Sequence, residues 1–204
     1  MLLTRGVGEL SYDPAGCSTP TIVIIVKPHV APPVAFYERG VAVALVPIVR
    51  NHPGTVSPLI KSNNLLNNAL AMQEAARRGA VEGVMRNYRG ELAECSQSNI
   101  FIVRGGAALT PPIDAGLLPG ITREFVFEIG EQAGVPVQEA ILHDEDLYGA
   151  DEAFLTSSTR ELMPIVRVDD RPVGNGVPGA VTRLLLERFR ARAAELSRAP
   201  AARV

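Results

Sequence analysis

Lys61 is the residue best suited to covalent chemistry in this chain, and it sits in the stretch Ser57-Pro58-Leu59-Ile60-Lys61-Ser62-Asn63-Asn64-Leu65-Leu66-Asn67-Asn68. The proline marks a turn, and Leu66, Ala69, Leu70 and Met72 recur at helical spacing, so a helix is predicted from about Asn63 to Arg78, stopped by Gly79. A lysine at a helix entrance, beside backbone amides and apolar neighbours, loses hydration; its pKa falls and its amine becomes nucleophilic. The same spacing also suits an ordinary exposed lysine. Three more features bear on the choice. Glu94 ends a strand in Glu91-Leu92-Ala93-Glu94-Cys95-Ser96-Gln97-Ser98-Asn99-Ile100-Phe101, where a carboxylate is either a strand-end charge or a buried anion able to protonate a heterocyclic nitrogen. Leu118-Pro119-Gly120-Ile121-Thr122-Arg123 is a glycine turn into a helix start, whose free amides and dipole favour an anion. A plain capped helix would look the same. Thr156-Ser157-Ser158-Thr159 places four hydroxyls in one turn, fit to hold phosphate oxygens or simply to satisfy the loop backbone.

The rest of the chain must position these groups. At 204 residues and 47% hydrophobic it can bury a substantial core. With 20 basic against 22 acidic residues, few aromatics and no tryptophan, nothing favours nucleic acid as a partner. Cys17 and Cys95 lie far apart and the three histidines are scattered, so no metal spacing emerges, and the cysteine usage suits a reducing cytoplasm. The apolar run Thr21 to Val26 is too short to span a membrane, and residues 1 to 16 lack a signal-peptide pattern.

Residues 1 to 18 read as irregular and Thr19 to Val26 as a buried strand. The segment Lys27 to Pro33 is a proline-rich link and the best boundary candidate. Strands are expected at Gly40 to Val46, Gly83 to Arg86, Glu91 to Glu94, Asn99 to Val103 and Ala107 to Thr110, the last four as a meander rather than a βαβ array. A helix from Gly120 to about Ala133 follows, then a strand Val135 to Ala140, a short helix His143 to Tyr148, and strands Glu152 to Thr156 and Leu162 to Val168. Pro178 to Leu196 forms a terminal helix with Val181, Leu184, Leu185 and Phe189 on one face, and a frayed tail runs from Ser197.

A lysine, a carboxylate and two anion cradles together are what pyridoxal phosphate requires: a Schiff-base amine, a partner for the pyridine nitrogen, and a phosphate seat. At this point the chain resembles the class IV aminotransferases of PLP fold type IV, a group that includes branched-chain amino acid aminotransferases, D-amino acid aminotransferases and 4-amino-4-deoxychorismate lyases. The resemblance rests on Ile60 to Leu66, Glu94 to Phe101, Leu118 to Arg123 and Phe154 to Pro164, in order and with similar spacing. It implies an α+β fold: a pseudo-barrel large domain of mostly antiparallel strands with flanking helices over 34–196, a remnant of a small N-terminal domain and linker over 1–33, and a tail over 197–204. By the same resemblance Lys61 is catalytic, forming the Schiff base and moving the proton between substrate and cofactor. Glu94 pairs with the pyridine nitrogen. Ile121, Thr122, Ser158 and Thr159 bind the phosphate, Ser98 and Asn99 lie beneath the ring, and Arg50, on the strand exit towards the lysine, joins the cofactor-binding set.

The family's chains begin with a small α/β domain that supplies a phosphate-binding arginine, and most of it has no counterpart here. The expectation is a wider pocket, with cofactor affinity lower by roughly the 1.5–3 kcal/mol of one charge-assisted contact. Substrate cues diverge. Leu66 stands where branched-chain enzymes carry tyrosine, Glu9-Leu10-Ser11 replaces the Arg-x-His of D-amino acid enzymes, and Cys95 after Glu94 points towards the lyases. The implied function is amino transfer between an amino acid, branched-chain-like or otherwise apolar, and a 2-oxo acid. The alternatives are the pyruvate-eliminating lyase and a truncated homologue with weak or no activity. Family members are dimers or larger, so a cytoplasmic homo-oligomer is expected, with no nucleic-acid or membrane partner.

Overall fold

A computed structural model describes residues 1–198, and its contacts divide into two compact units, one over Met1–Ala31 and one from Pro32 onward. In the first unit, β1 (Leu2–Thr4) pairs antiparallel with β2 (Thr21–Val23), and a 3-10 turn covers Pro14–Gly16. This corrects two expectations. The stretch before Ser18 carries regular structure, and the apolar run Thr21 to Val26 is exposed throughout rather than buried. A two-stranded ribbon this short has no facing layer within its own unit to cover the strand.

The second unit comprises α1 (Val34–Arg39), β3 (Val41–Leu45), α2 (Leu66–Arg77), β4 (Glu82–Arg86), β5 (Leu92–Cys95), β6 (Asn99–Arg104), β7 (Ala107–Thr110), α3 (Ile121–Ala133), β8 (Val137–Glu139), α4 (Asp144–Tyr148), β9 (Glu152–Ser157), β10 (Glu161–Val168), β11 (Arg171–Pro172) and α5 (Ala180–Arg198). The nine strands form one mixed sheet in the order β5-β4-β3-β10-β9-β6-β7-β8, with β11 paired to β10. The strands β4 to β7 do not make a continuous meander. β4–β5 and β6–β7 are antiparallel pairs at different places in the row, while β3–β4 and β7–β8 are parallel and joined through α2 and α3. Crossover helices let parallel strands neighbour one another, a pairing that a hairpin turn cannot provide. Antiparallel pairs still predominate, and the fold is α+β.

Strand order forces the sheet to curl. β5 and β6 have four strands between them, roughly 24 Å if the sheet were flat. Yet only residues 96–98 connect them, and the four Cα steps from Cys95 to Asn99 reach at most about 14 Å. The row therefore bends into a half-barrel, and the amide of Cys95 donates to the carbonyl of Ser98 across that turn at 2.8 Å.

Alternation along the strands fills both faces of the curl. Ile100, Ile102, Ala153, Leu155, Met163 and Ile165 face one core with Val41, Val43 and Val84. Their neighbours Phe101, Val103, Phe154 and Leu162 face a second, closed by Val126 and Ile129 of α3 and Leu185 and Leu186 of α5. Phe101 and Phe154 stack with ring centroids 4.8 Å apart. Glu152 anchors α5 by accepting from the amides of Val181 and Thr182 at 2.9 and 2.8 Å. The helix extends to Arg198, past its expected end at Leu196, so Ser197 and Arg198 are helical rather than frayed; residues 199–204 lie outside the described residues.

α2 begins at Leu66, not Asn63, and buries a different stripe from the expected one. Leu66 and Leu70 are exposed, whereas Ala71 and Ala75 pack against Ala44, Val46 and Met85. Small residues face the sheet because the helix lies very close to it: a Cβ on Gly83 of β4 would come within 2.8 Å of the Ala71 carbonyl oxygen. Gly83→Ala is accordingly expected to destabilise the protein by about 1–3 kcal/mol, read as a lower denaturant midpoint at unchanged slope.

Candidate active site

A cavity of about 950 Å³ opens between the start of α2, the turn after β5, the N-terminus of α3 and the turn after β9. Lys61 lines it from the loop between β3 and α2. Tight local bonds shape that loop: the amide of Ile60 donates to Ser57, that of Ser62 to Ile60, and that of Leu65 to Asn63. Pro58 is buried while Lys61 itself is exposed, five residues ahead of the helix, so the expected desolvation at a helix entrance is corrected to an open-loop placement.

Glu94, near the end of β5, is the buried charge of the site. The Nε of Arg50 donates to its Oε1 at 2.7 Å; the Leu118 amide and the Asn99 Nδ2 donate to its Oε2 at 3.1 and 3.3 Å. Burial pushes the carboxyl up to about 7, against the downward pull of Arg50, the Leu118 amide and, more weakly, Lys61. Asparagine side chains carry this arrangement outward. Asn67 accepts from Arg50 at 3.3 Å and donates to the carbonyl of Val49 at 2.8 Å, and Asn68 donates to the carbonyl of Ser96 at 2.8 Å. The first turn of α2, which follows the lysine loop, is thereby fastened to the Glu94 strand.

The anion seat forms at α3. Its N-cap is Gly120 with no side-chain cap bond, which leaves the first amides of the helix, Ile121 and Thr122, to face the cavity. Glycine is needed at this position because a Cβ would meet the Asn99 Oδ1 at 2.2 Å. Ser158 reaches the same cavity from the turn after β9. The hydroxyl of Thr156 is buried in the wall and has no hydrogen-bond partner among the described residues.

Of the residues singled out in the sequence, Arg50, Lys61, Glu94, Ser98, Asn99, Ile121, Thr122 and Ser158 share this cavity, and Thr159 does not line it. Three have side chains committed to the protein itself. Arg50 binds Glu94, Ser98 donates to Glu82 at 2.8 Å, and Asn99 donates to Glu94 and to the carbonyl of Leu118. Glu82, Asn67, Asn68 and Arg160 escaped the sequence reading. Only Glu82 carried a signal, an acid interrupting the apolar run Val81-Glu82-Gly83-Val84-Met85, since a charge in a buried strand demands partners.

A curled mixed sheet with helices outside, and a lysine facing a buried carboxylate across a cavity closed by a helix N-terminus, define the PLP fold type IV class of architecture. Residues 1–168 match the model of the amino-transferase class IV family, and the chain belongs to that family. It is 37% identical over 190 residues to a Methanocaldococcus jannaschii protein to which branched-chain-amino-acid aminotransferase activity is provisionally assigned, covering 93% of this chain and 65% of that one. It is 33% identical over 190 residues to the branched-chain-amino-acid aminotransferase of Escherichia coli K12, covering 93% of this chain and 62% of the relative. The branched-chain amino acid aminotransferase of Thermobaculum terrenum, solved in its PLP-form, superposes with a TM-score of 0.76 at 32% identity, over 81% of this chain and 54% of that one. The chain thus spans somewhat less than two thirds of the length of the curated relatives it matches. Among the described residues no helix is long and apolar enough to cross a membrane.

The raised carboxyl has a linkage consequence. With a folded pKa of about 7 against an ordinary value of 4.5, the fold holds the Glu94 proton more tightly than the unfolded chain does. Its contribution to stability is therefore full below about pH 4.5 and lost as pH rises through about 7. Denaturant unfolding of cofactor-free protein at pH 5 and pH 8 should show wild type losing roughly 2.5 kcal/mol more than Glu94→Gln across that window.

Proposed function

We propose that the chain carries the pyridoxal-phosphate site of an aminotransferase that moves an amino group between an apolar, branched-chain-like amino acid and a 2-oxo acid. The observation that carries the proposal is the single cavity joining Lys61, the buried Glu94 and the uncapped start of α3. The residues fit the cofactor at both ends. Glu94 offers an acceptor, deep in the wall, to a heteroaromatic nitrogen. The amides of Ile121 and Thr122, with the Ser158 hydroxyl, offer donors to a phosphate, and the unpartnered Thr156 hydroxyl adds a donor on the same wall. The names of the relatives support the substrate class.

When bound, pyridoxal phosphate supplies an electron-withdrawing ring that stabilises charge at the substrate α-carbon. The chain's own groups do the rest. Lys61, which lines the cavity, would hold the cofactor through its amine and would be the group that carries a proton to and from the substrate α-carbon. Its exposed loop gives the side chain the freedom that a shuttle needs. Glu94 would face the ring nitrogen, where its buried carboxyl would favour a proton on that nitrogen. Arg50, Asn99 and the Leu118 amide fix the carboxylate plane, and the N-terminus of α3 would hold the phosphate with its dipole. Residues from 34 to 196 would form the cofactor-binding unit, working in the cytoplasm as a homodimer or larger homo-oligomer.

The test is the visible absorption of the purified chain after pyridoxal phosphate is added and the excess removed. Wild type should hold a band that apolar amino-acid donors bleach, and Lys61→Ala should lose the band and at least about a thousandfold of the amino transfer. Ser158→Ala should weaken cofactor binding by about tenfold, the cost of one hydrogen bond to a charged group. Release of pyruvate from aminodeoxychorismate, without conversion of a 2-oxo acid, would instead assign the lyase reaction, and a chain that retains no band would overturn the reading.

A further inference from the structure

We infer that Glu82 and Arg160, neither of which lines the cavity, are positioning residues that hold the two hydroxyl-bearing turns of the site, 96–98 and 157–160, against each other. The inference rests on the function proposed above and extends it to groups that the cofactor does not touch.

Glu82 is the first residue of β4 and is completely buried. A carboxylate taken out of water persists there only if its oxygens are filled by donors. The Ser96 hydroxyl donates to it at 3.1 Å, the Gln97 amide at 2.7 Å and the Ser98 hydroxyl at 2.8 Å, and Arg160 completes the set as its ion-pair partner. The first three donors are consecutive residues of the turn that separates Glu94 from Asn99. The fourth belongs to the turn that carries Ser158 and follows Thr156 of β9, closed by the Arg160 amide donating to the Ser157 carbonyl at 3.2 Å.

Arg160 reinforces the same link. Its second guanidinium arm donates to the Gln97 side chain at 3.2 Å, and its backbone carbonyl accepts from the Tyr37 hydroxyl of α1 at 3.2 Å. One buried carboxylate and one guanidinium thus join the strand end bearing the ring-nitrogen acceptor to the turn bearing a phosphate donor. Pairing of β6 with β9, with Asn99 opposite Thr156, already sets the two turns side by side; the Glu82–Arg160 pair adds a tie from both turns to the start of β4, a strand that neighbours neither β6 nor β9. A two-pronged ligand, acidic at one end and heteroaromatic at the other, is sensitive to that separation, since displacements of about 1 Å in a positioned site lower function by orders of magnitude.

The deciding variants are Arg160→Ala and Arg160→Lys, since the Arg160 side chain is a quarter exposed and its truncation leaves the cores intact. Glu82→Gln serves as the partner variant. Two readouts are taken: hydrogen–deuterium exchange of the cofactor-free protein, and the affinity for pyridoxal phosphate from absorption titration. Arg160→Ala should speed exchange in both turns while leaving Ile100 to Val103 of β6 unchanged, and should weaken the cofactor by about tenfold. Arg160→Lys should recover most of that affinity, keeping the charge on Glu82 while losing the fork to Gln97. Faster exchange confined to 157–160, or a lower melting temperature with wild-type cofactor affinity, would overturn the inference and leave a purely structural pair. A wild-type chain that binds no pyridoxal phosphate would overturn the proposed function instead, and the exchange data alone would then show whether the turns are coupled.

Discussion

A carboxylate removed from water must find donors or take up a proton, and this constraint at Glu94 governs much of the molecule. Its oxygens draw Arg50 from the exit of β3, the amide of Leu118 from the approach to α3, and Asn99 from the start of β6. Segments far apart in the chain are thereby fixed around one point. Asn67 then uses the free arm of Arg50 to pin the start of α2, so the lysine loop is held at both ends by groups that answer to the same carboxylate. The site is an electrostatic junction first and a cavity second.

Half-barrel curvature makes that junction possible. A flat sheet in this strand order would leave β5 and β6 beyond the reach of a three-residue turn, and the curl brings the end of one and the start of the other to the same rim. Both faces of the strands are apolar because helices α3 and α5 cover the outer face while the inner one fills itself. At the rim, polar side chains converge from several strands, among them Glu82 of β4, Glu94 of β5 and Asn99 of β6. Of the buried acids there, Glu82 is satisfied by the turns 96–98 and 157–160, and Glu94 by Arg50, Asn99 and the Leu118 amide.

Much of the chemistry was legible in the sequence. Lys61, Glu94, the Gly120 turn and the Thr156 to Ser158 hydroxyls lie in separate local motifs; Glu94 and Gly120 kept their expected strand end and helix start, whereas Lys61 lies in an open loop five residues ahead of α2 and Thr156 and Ser157 complete β9. Strand positions were readable for a related reason: β-branched and aromatic runs such as Asn99 to Val103 specify extended backbone locally. Burial was read less well. Thr21 to Val26 resembles a core strand yet is exposed, and the leucines of α2 face outward while alanines face the sheet, because the close helix–sheet approach admits only small side chains.

Residue types, their order and the turn chemistry around them determined which groups are available: one lysine after a proline turn, one acid at a strand end, one uncapped helix start, one run of hydroxyls. Tertiary structure decided how they meet. Parallel pairing through α2 and α3, the curl of the sheet, and the partners of Glu82 and Glu94 depend on contacts between residues tens of positions apart, such as Arg50 with Glu94 and Arg160 with Glu82. Local sequence carries no record of such distances. A buried charge states only that it needs a partner, and the folded chain supplies which one.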